Sequence, residues 1–235
     1  MPNNDAHILI RKLADGRTDL VYDLVELGHT PEYLEHEGVS ILRWCAYFGD
    51  VSALRFLLAR GASLSSLGTN FDLDGAVFHG YWRFCQFLLE SGADANLANP
   101  VTGETPLHIA LSKTDRITYD RVVRVLLAHG ANPNVRTHPG EKTGCFMRDC
   151  RTKGETPLHR AAAFGDETTI QLLLDAGALV DARDSFGDTS LNWASWYGRP
   201  NPILRPLLYG NFRIHPANRT MQANLLGDPN VTNDI

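Results

Sequence analysis

Two stretches of this 235-residue chain read almost alike: GETPLHIALS from Gly103 and GETPLHRAAAFG from Gly154. Self-similarity constrains a fold more than any local pattern, because a repeated unit must bury its apolar face against its neighbours. With the Thr of each stretch set at position zero, a register follows. Thr156 leads to Ala161 at +5, Gly165 at +9 and Gly177 at +21, the last preceded by Leu173 and Leu174. Thr189 leads in the same steps to Ala194, Gly198 and Gly210, with Leu207 and Leu208. Ser40 leads to Cys45, Gly49 and Gly61, and Phe71 to Ala76, Gly80 and Gly92, each with its Leu-Leu pair. His7 leads to Gly16 and Gly28 with Leu24 alone. Thr105 reaches Gly130 only with four extra residues around Thr114–Thr118.

The chemistry of these positions is that of paired helices. Thr at zero is a helix N-cap, and Pro after it fills the first helical position, where a missing N–H costs nothing. Gly at +9 lets the chain reverse, and Gly at +21 suits a left-handed C-terminal cap.

The T-P-L-H-x-A pattern resembles the ankyrin repeat, about 33 residues of turn plus two antiparallel helices. The resemblance covers residues 7–210, 204 of the 235 residues. It implies an all-α solenoid of antiparallel helix pairs with short β-turn fingers. The repeats begin near 7, 40, 71, 105, 156 and 189, in a single domain over 1–217 followed by a flexible tail over 218–235. The first repeat, with Arg11, Lys12, Asp15 and Arg17, suits a polar cap. Pro206 should bend or shorten the second helix of the last repeat. Residues 211–217 are expected to pack on that repeat.

No Gly-rich phosphate loop, G-x-S-x-G or H-E-x-x-H motif is present. The resemblance assigns His108 and His159, fourth in each T-P-L-H, to hydrogen bonds between neighbouring turns. Cys145, Cys150 and His138 offer three ligands at slack spacing, short of a zinc set, so no metal and no cofactor is expected.

The resemblance also places positions +4, +7 and +8 on a concave groove. Of the chain's 21 aromatics, eight fall on these 18 positions: Trp44, Tyr47, Phe48, Phe78, Phe164, Trp193, Trp196 and Tyr197. His79 and Arg160 share the face. Aromatics and arginines of this kind compose binding hot spots, although rings at these positions also stack between helices.

A second irregularity lies between Gly130 and Thr156, which are 26 residues apart where Gly177 and Thr189 are 12 apart. Fourteen extra residues therefore sit in one turn, an insertion at about 137–153. From Arg136 to Lys153 it carries Arg136, Lys142, Arg148, Arg151 and Lys153 against Glu141 and Asp149. The whole chain has formal charge −5, so a basic finger stands on an acidic body, which suggests an acidic contact through Arg148, Arg151 and Lys153. The alternatives are a solvated loop, a loop packed back through Phe146 and Met147, or internal pairing of the cations with Asp149, Glu155 or Asp184.

These features imply a non-enzymatic protein-binding module: an adaptor, inhibitor or scaffold, monomeric, whose partner is a protein or peptide with acidic and apolar features. The acidic balance argues against nucleic acid as partner. With four cysteines, no leader in MPNNDAHILIRKLADG and no 18-residue apolar run, the expectation is a cytoplasmic protein without membrane contact. The competing reading is a small-ligand or enzymatic site in the groove around Arg160 and His159, with His79 or Cys150 contributing.

Overall fold

The fold is that of a computed structural model, which describes residues 4–29, 35–146 and 150–208. Among them are twelve short α-helices in six antiparallel pairs, and two hairpins of two-residue strands. The chain forms two compact units, Met1–Asp94 and Ala95–Ile235.

The first unit holds α1 (Asn4–Ala14) with α2 (Val21–Glu26), α3 (Ile41–Tyr47) with α4 (Val51–Leu58), and α5 (Leu73–Phe78) with α6 (Trp82–Glu90). The finger before α3 is β1 (Glu35–His36) paired with β2 (Val39–Ser40). Leu13, Leu24, Ile41, Leu54, Leu57, Leu73 and Leu88 are fully buried between the pairs. Ser40 caps α3 as the register requires. Asp50 caps α4 by accepting from the N–H groups of Ser52 and Ala53, both at 3.0 Å, and accepts from the Thr18 hydroxyl of the preceding pair at 2.7 Å. Two starts depart from the register. His7 lies inside α1 rather than ahead of it. Phe71 is left-handed and Asp72, not Phe71, precedes α5.

The second unit holds α7 (Pro106–Ala110) with α8 (Arg116–Ala128), α9 (Pro157–Phe164) with α10 (Glu167–Asp175), and α11 (Ser190–Trp196) with α12 (Asn201–Leu204). The insertion contributes β3 (Lys142–Thr143) and β4 (Cys150–Arg151). Thr105, Thr156 and Thr189 are the N-caps of α7, α9 and α11, each with a reciprocal capping box. Ala161, Ala162 and Ala194 are fully buried, and their small side chains let α9 pack closely against α11. Gly177 after α10 takes φ +85°, the left-handed cap that glycine adopts without penalty. Gly165 is needed for space instead: a Cβ there would stand 2.6 Å from the Ala161 carbonyl. Pro206 acts as expected, since α12 ends at Leu204 and gives way to a 3-10 turn over Arg205–Leu207.

Asparagines tie successive fingers together. Asn96 donates to the Gly130 carbonyl at 2.8 Å and accepts from Asn132 N–H at 2.7 Å. Asn134 repeats this one repeat later with Gly177 and Leu179, both at 2.9 Å. These bonds join repeats through backbone, so each finger is fixed by the next. The expected packing of 211–217 and the tail at 218–235 lie outside the described residues.

Candidate functional site

The site is built from the insertion and the helices behind it. β3 and β4 pair antiparallel, Lys142 opposite Arg151 and Thr143 opposite Cys150. The pairing continues beyond the strands, where Thr152 N–H donates to Glu141 C=O at 2.9 Å. Beneath this hairpin lies Arg160, on α9.

Arg160 is 0% exposed. Its Nε and Nη2 donate to Glu155 Oε1 at 3.0 and 2.6 Å, and Nη2 also donates to Glu104 Oε1 at 2.6 Å. Its Nη1 reaches the His108 carbonyl at 3.1 Å and Ser112 Oγ at 2.9 Å. The two glutamates hold the insertion in turn. Thr143 donates to Glu104 Oε1, and Thr137 to Glu155 Oε2, both at 2.6 Å. Lys153 N–H donates to the same Glu155 oxygen at 2.6 Å. Burial alone would raise the Glu155 carboxyl, but the Arg160 charge and these donors hold it down at about 2. The same guanidinium, against the pull of burial, keeps Glu104 below the usual range.

The histidines of the two T-P-L-H segments are fully buried. In each, Nδ1 accepts from the Thr N–H, at 3.2 Å for both Thr105 and Thr156. Because a carbonyl only accepts, Nε2 carries the proton: His108 donates to Glu155 C=O at 3.3 Å and His159 to Asp188 C=O at 3.1 Å. These are bonds to the next turn, and they require neutral rings. Burial, then the nearby Arg160 charge, depresses His108 to about 3, and burial lowers His159 as well.

Over this buried layer opens a groove of about 480 Å³. One wall is the insertion, with Phe146, Cys150, Arg151 and Lys153. The other is Phe164, Trp193, Trp196 and Tyr197 from α9 and α11, and Glu155 and Asp188 also line the cavity. Phe146 turns back onto the repeats, with its ring 5.4 Å from Phe164 and 5.3 Å from the Arg160 guanidinium carbon. Phe164 meets Tyr197 edge-on at 5.1 Å. Trp196 is 78% exposed and Tyr197 55%, whereas Trp193 is 9% exposed and its Nε1 donates to Asp184 Oδ2 at 3.0 Å. Lys153 Nζ stands 5.5 Å from the Trp193 ring and 5.9 Å from the ring of Phe186. Of the carboxylates that could pair internally with these cations, Asp149 lies outside the described residues, and the other two are engaged elsewhere. Glu155 is taken by Arg160, and Asp184 by Trp193 and its own turn. Among the described residues no carboxylate lies within ion-pair distance of Arg151 or Lys153.

The expected groove residues thus divide. Phe164, Trp193, Trp196, Tyr197, Arg151 and Lys153 come together around one cavity. Arg160 is corrected: it is a buried anchor under the hairpin, with no surface to offer a partner, because the insertion covers the +4 position. The competing small-ligand site around Arg160 and His159 falls for the same reason, since both are fully buried and their donors and acceptors are spent within the fold. Arg148 lies outside the described residues. In the first unit Trp44, Tyr47, Phe48, Phe78 and His79 form a separate ring cluster. Trp44 stacks on Phe48 at 6.4 Å, and His79 meets Tyr47 at 5.6 Å and Phe78 at 5.6 Å. Tyr47, Phe78 and His79 are its exposed members, and Trp44 and Phe48 are half-buried.

Sequence reasoning missed Phe186, 75% exposed at the finger before α11, and the whole Glu104–Arg160–Glu155 layer. A signal for the layer was present: the same Glu precedes the Thr in both G-E-T-P-L-H segments, and Arg160 stands one helical turn beyond the second.

Comparison with known proteins agrees with this architecture. The family described as "Ankyrin repeat" matches residues 102–138, and "Ankyrin repeats (3 copies)" matches 138–216. The chain is an ankyrin-repeat protein. It is similar to the mouse protein named palmitoyltransferase ZDHHC13, 26% identical over 192 residues, which takes in 73% of this chain and 31% of that one. The palmitoyltransferase AKR1 of Lachancea kluyveri is 26% identical over 188 residues, 79% of this chain and 23% of that one. The human neurogenic locus notch homolog protein 4 is 34% identical over 129 residues, 53% of this chain and 6% of that one. The ankyrin-repeat chain therefore spans about a third or less of these relatives. Its repeats make it a protein-interaction module. No helix among the described residues is long and apolar enough to cross a membrane.

Proposed function

We propose that this chain is a non-catalytic binding module whose partner seats in the aromatic groove of the second unit. The observation that carries the reading is the groove itself. Trp196 and Tyr197 are exposed over about 480 Å³, edged by Arg151 and Lys153, and of the two carboxylates that also line it Glu155 is paired with Arg160. Large rings give a partner apolar anchorage at low entropy cost, and rim cations steer an acidic surface. The groove thus fits a protein or peptide with apolar and acidic features. The Tyr47–Phe78–His79 surface of the first unit offers a second contact for the same class of partner.

A photo-crosslinking residue in place of Tyr197 tests this. Proteins it captures should be lost when Trp196→Ala is added, with the melting temperature unchanged, since a buried Trp anchor carries about 2 kcal/mol or more of binding. Capture that is indifferent to Trp196→Ala would remove the groove from the reading.

A further inference from the structure

A dimer about a two-fold axis joins the same patch of both copies, so the patch must complement itself. The groove meets that requirement in shape and in charge. It holds a cavity of about 480 Å³ and, lining it, Trp196, whose ring is 78% exposed. It also carries both signs of charge. Two of its charged side chains are engaged, Glu155 with Arg160 and Arg151 with the Gly140 carbonyl. Two are not. Lys153 Nζ stands over the Trp193 and Phe186 rings, and among the described residues no carboxylate is within ion-pair distance of it. Asp188 uses only its backbone: its N–H donates to Asp184 Oδ1 at 3.0 Å and its C=O accepts from His159. Among the described residues no cation pairs with its carboxylate. One groove thus holds an unpaired cation and an unpaired anion, which do not reach each other.

The exposed area is of the right order. Trp196, Phe186 and Tyr197 are 78%, 75% and 55% exposed. At about 150–250 Å² per ring side chain, they leave roughly 300–500 Å² of ring surface in water. A stable interface buries about 800 Å² per partner, so the rings supply about half and the charged rim adds to it. We infer that the groove is the interface of a symmetric dimer of this chain. The Trp196 ring of each copy enters the cavity of the other, and Lys153 of each pairs with the partner's Asp188. A single kind of contact is thereby made twice, and it satisfies the cation and the carboxylate that the lone chain leaves unpaired. The inference rests on the groove reading above and names a second copy as the occupant, in place of the monomer that the sequence suggests.

Sedimentation of the full chain over a wide range of concentration tests this. The weight-average mass should rise from one chain toward two, less so as salt is added. Trp196→Ala should weaken the dimer at least about thirtyfold with its melting temperature unchanged. Charge reversal supplies the decisive arm. Lys153→Glu alone and Asp188→Lys alone each set like charges opposite each other in both contacts, so each should sediment as a single chain. Mixed one to one, the two variants again join opposite charges in both contacts, and the dimer should return. Neither side chain is needed for the fold, since Lys153 and Asp188 make their hydrogen bonds through the backbone. The dimer is overturned if the wild type stays a single chain throughout, if either reversal or Trp196→Ala dimerises as the wild type does, or if the mixture stays monomeric. A monomeric wild type that still captures another protein at Tyr197, dependent on Trp196, would overturn the dimer and leave the groove reading in place. Loss of the groove reading shows separately, in the crosslinking experiment.

Discussion

Replacing Arg160 by Met tests the buried layer most severely. Met keeps an apolar stem, but the guanidinium goes, and with it the charge, all its hydrogen bonds and its contact with the Phe146 ring. Glu104 and Glu155, both buried, then share one site with no cation between them. Ser112 Oγ and the His108 carbonyl lose their donor as well. Breaking a buried ion pair from one side costs about 3–5 kcal/mol, chiefly because the stranded charge stays out of water. For a chain of this length about 2–4 °C of melting temperature goes with each kcal/mol, so a fall of about 6–20 °C is expected. Urea titration followed by circular dichroism measures it, and the loss should fall on the second unit first, since repeat arrays unfold in parts. The pH dependence carries the sign. In the wild type Glu155 sits at about 2, so its stabilisation is complete above the unfolded value of about 4.5 and is lost as pH falls below it. In Arg160→Met the uncompensated carboxyls are raised, so protonation favours the folded state and the variant recovers relative to wild type on acidification. Adding Glu104→Gln and Glu155→Gln should return much of the loss at pH 7. A cost under about 1 kcal/mol, or three substitutions whose costs simply add, would show that the layer is not a coupled network.

Two further outcomes follow from the same framework. Leu173 is fully buried on α10, so Leu173→Ala should cost about 2–5 kcal/mol in urea titration, and an unchanged midpoint would displace the repeat register. His108 and His159 are held neutral, with His108 at about 3, so their contribution is whole above about 6.5 and declines as pH falls from there toward 3. In a titration of stability against pH, His108→Gln should flatten this region, and an unaltered slope would remove the histidines from the acid response.

What could be read from the sequence was whatever a register fixes, and what could not was whatever one segment lays over another. Thr105, Thr156 and Thr189 cap their helices because a capping contact spans three residues and is complete within the repeat. Phe164, Trp193, Trp196 and Tyr197 reach one cavity because each follows from the face of its own helix. Arg160 obeys the same rule and stands where position +4 should stand. The register is silent on the fourteen inserted residues of the preceding turn, of which the described ones, Phe146 among them, lie over it. The hairpin supplies Thr143, Thr137 and the Lys153 N–H, and these complete two carboxylates that would otherwise need water. Arg160 therefore supports the groove from below: it fixes the glutamates, the glutamates hold the insertion, and the insertion forms the basic wall of the groove. Phe186 escaped for a related reason, as it belongs to a finger outside the helical register, and Lys153 reaches its ring across the turn.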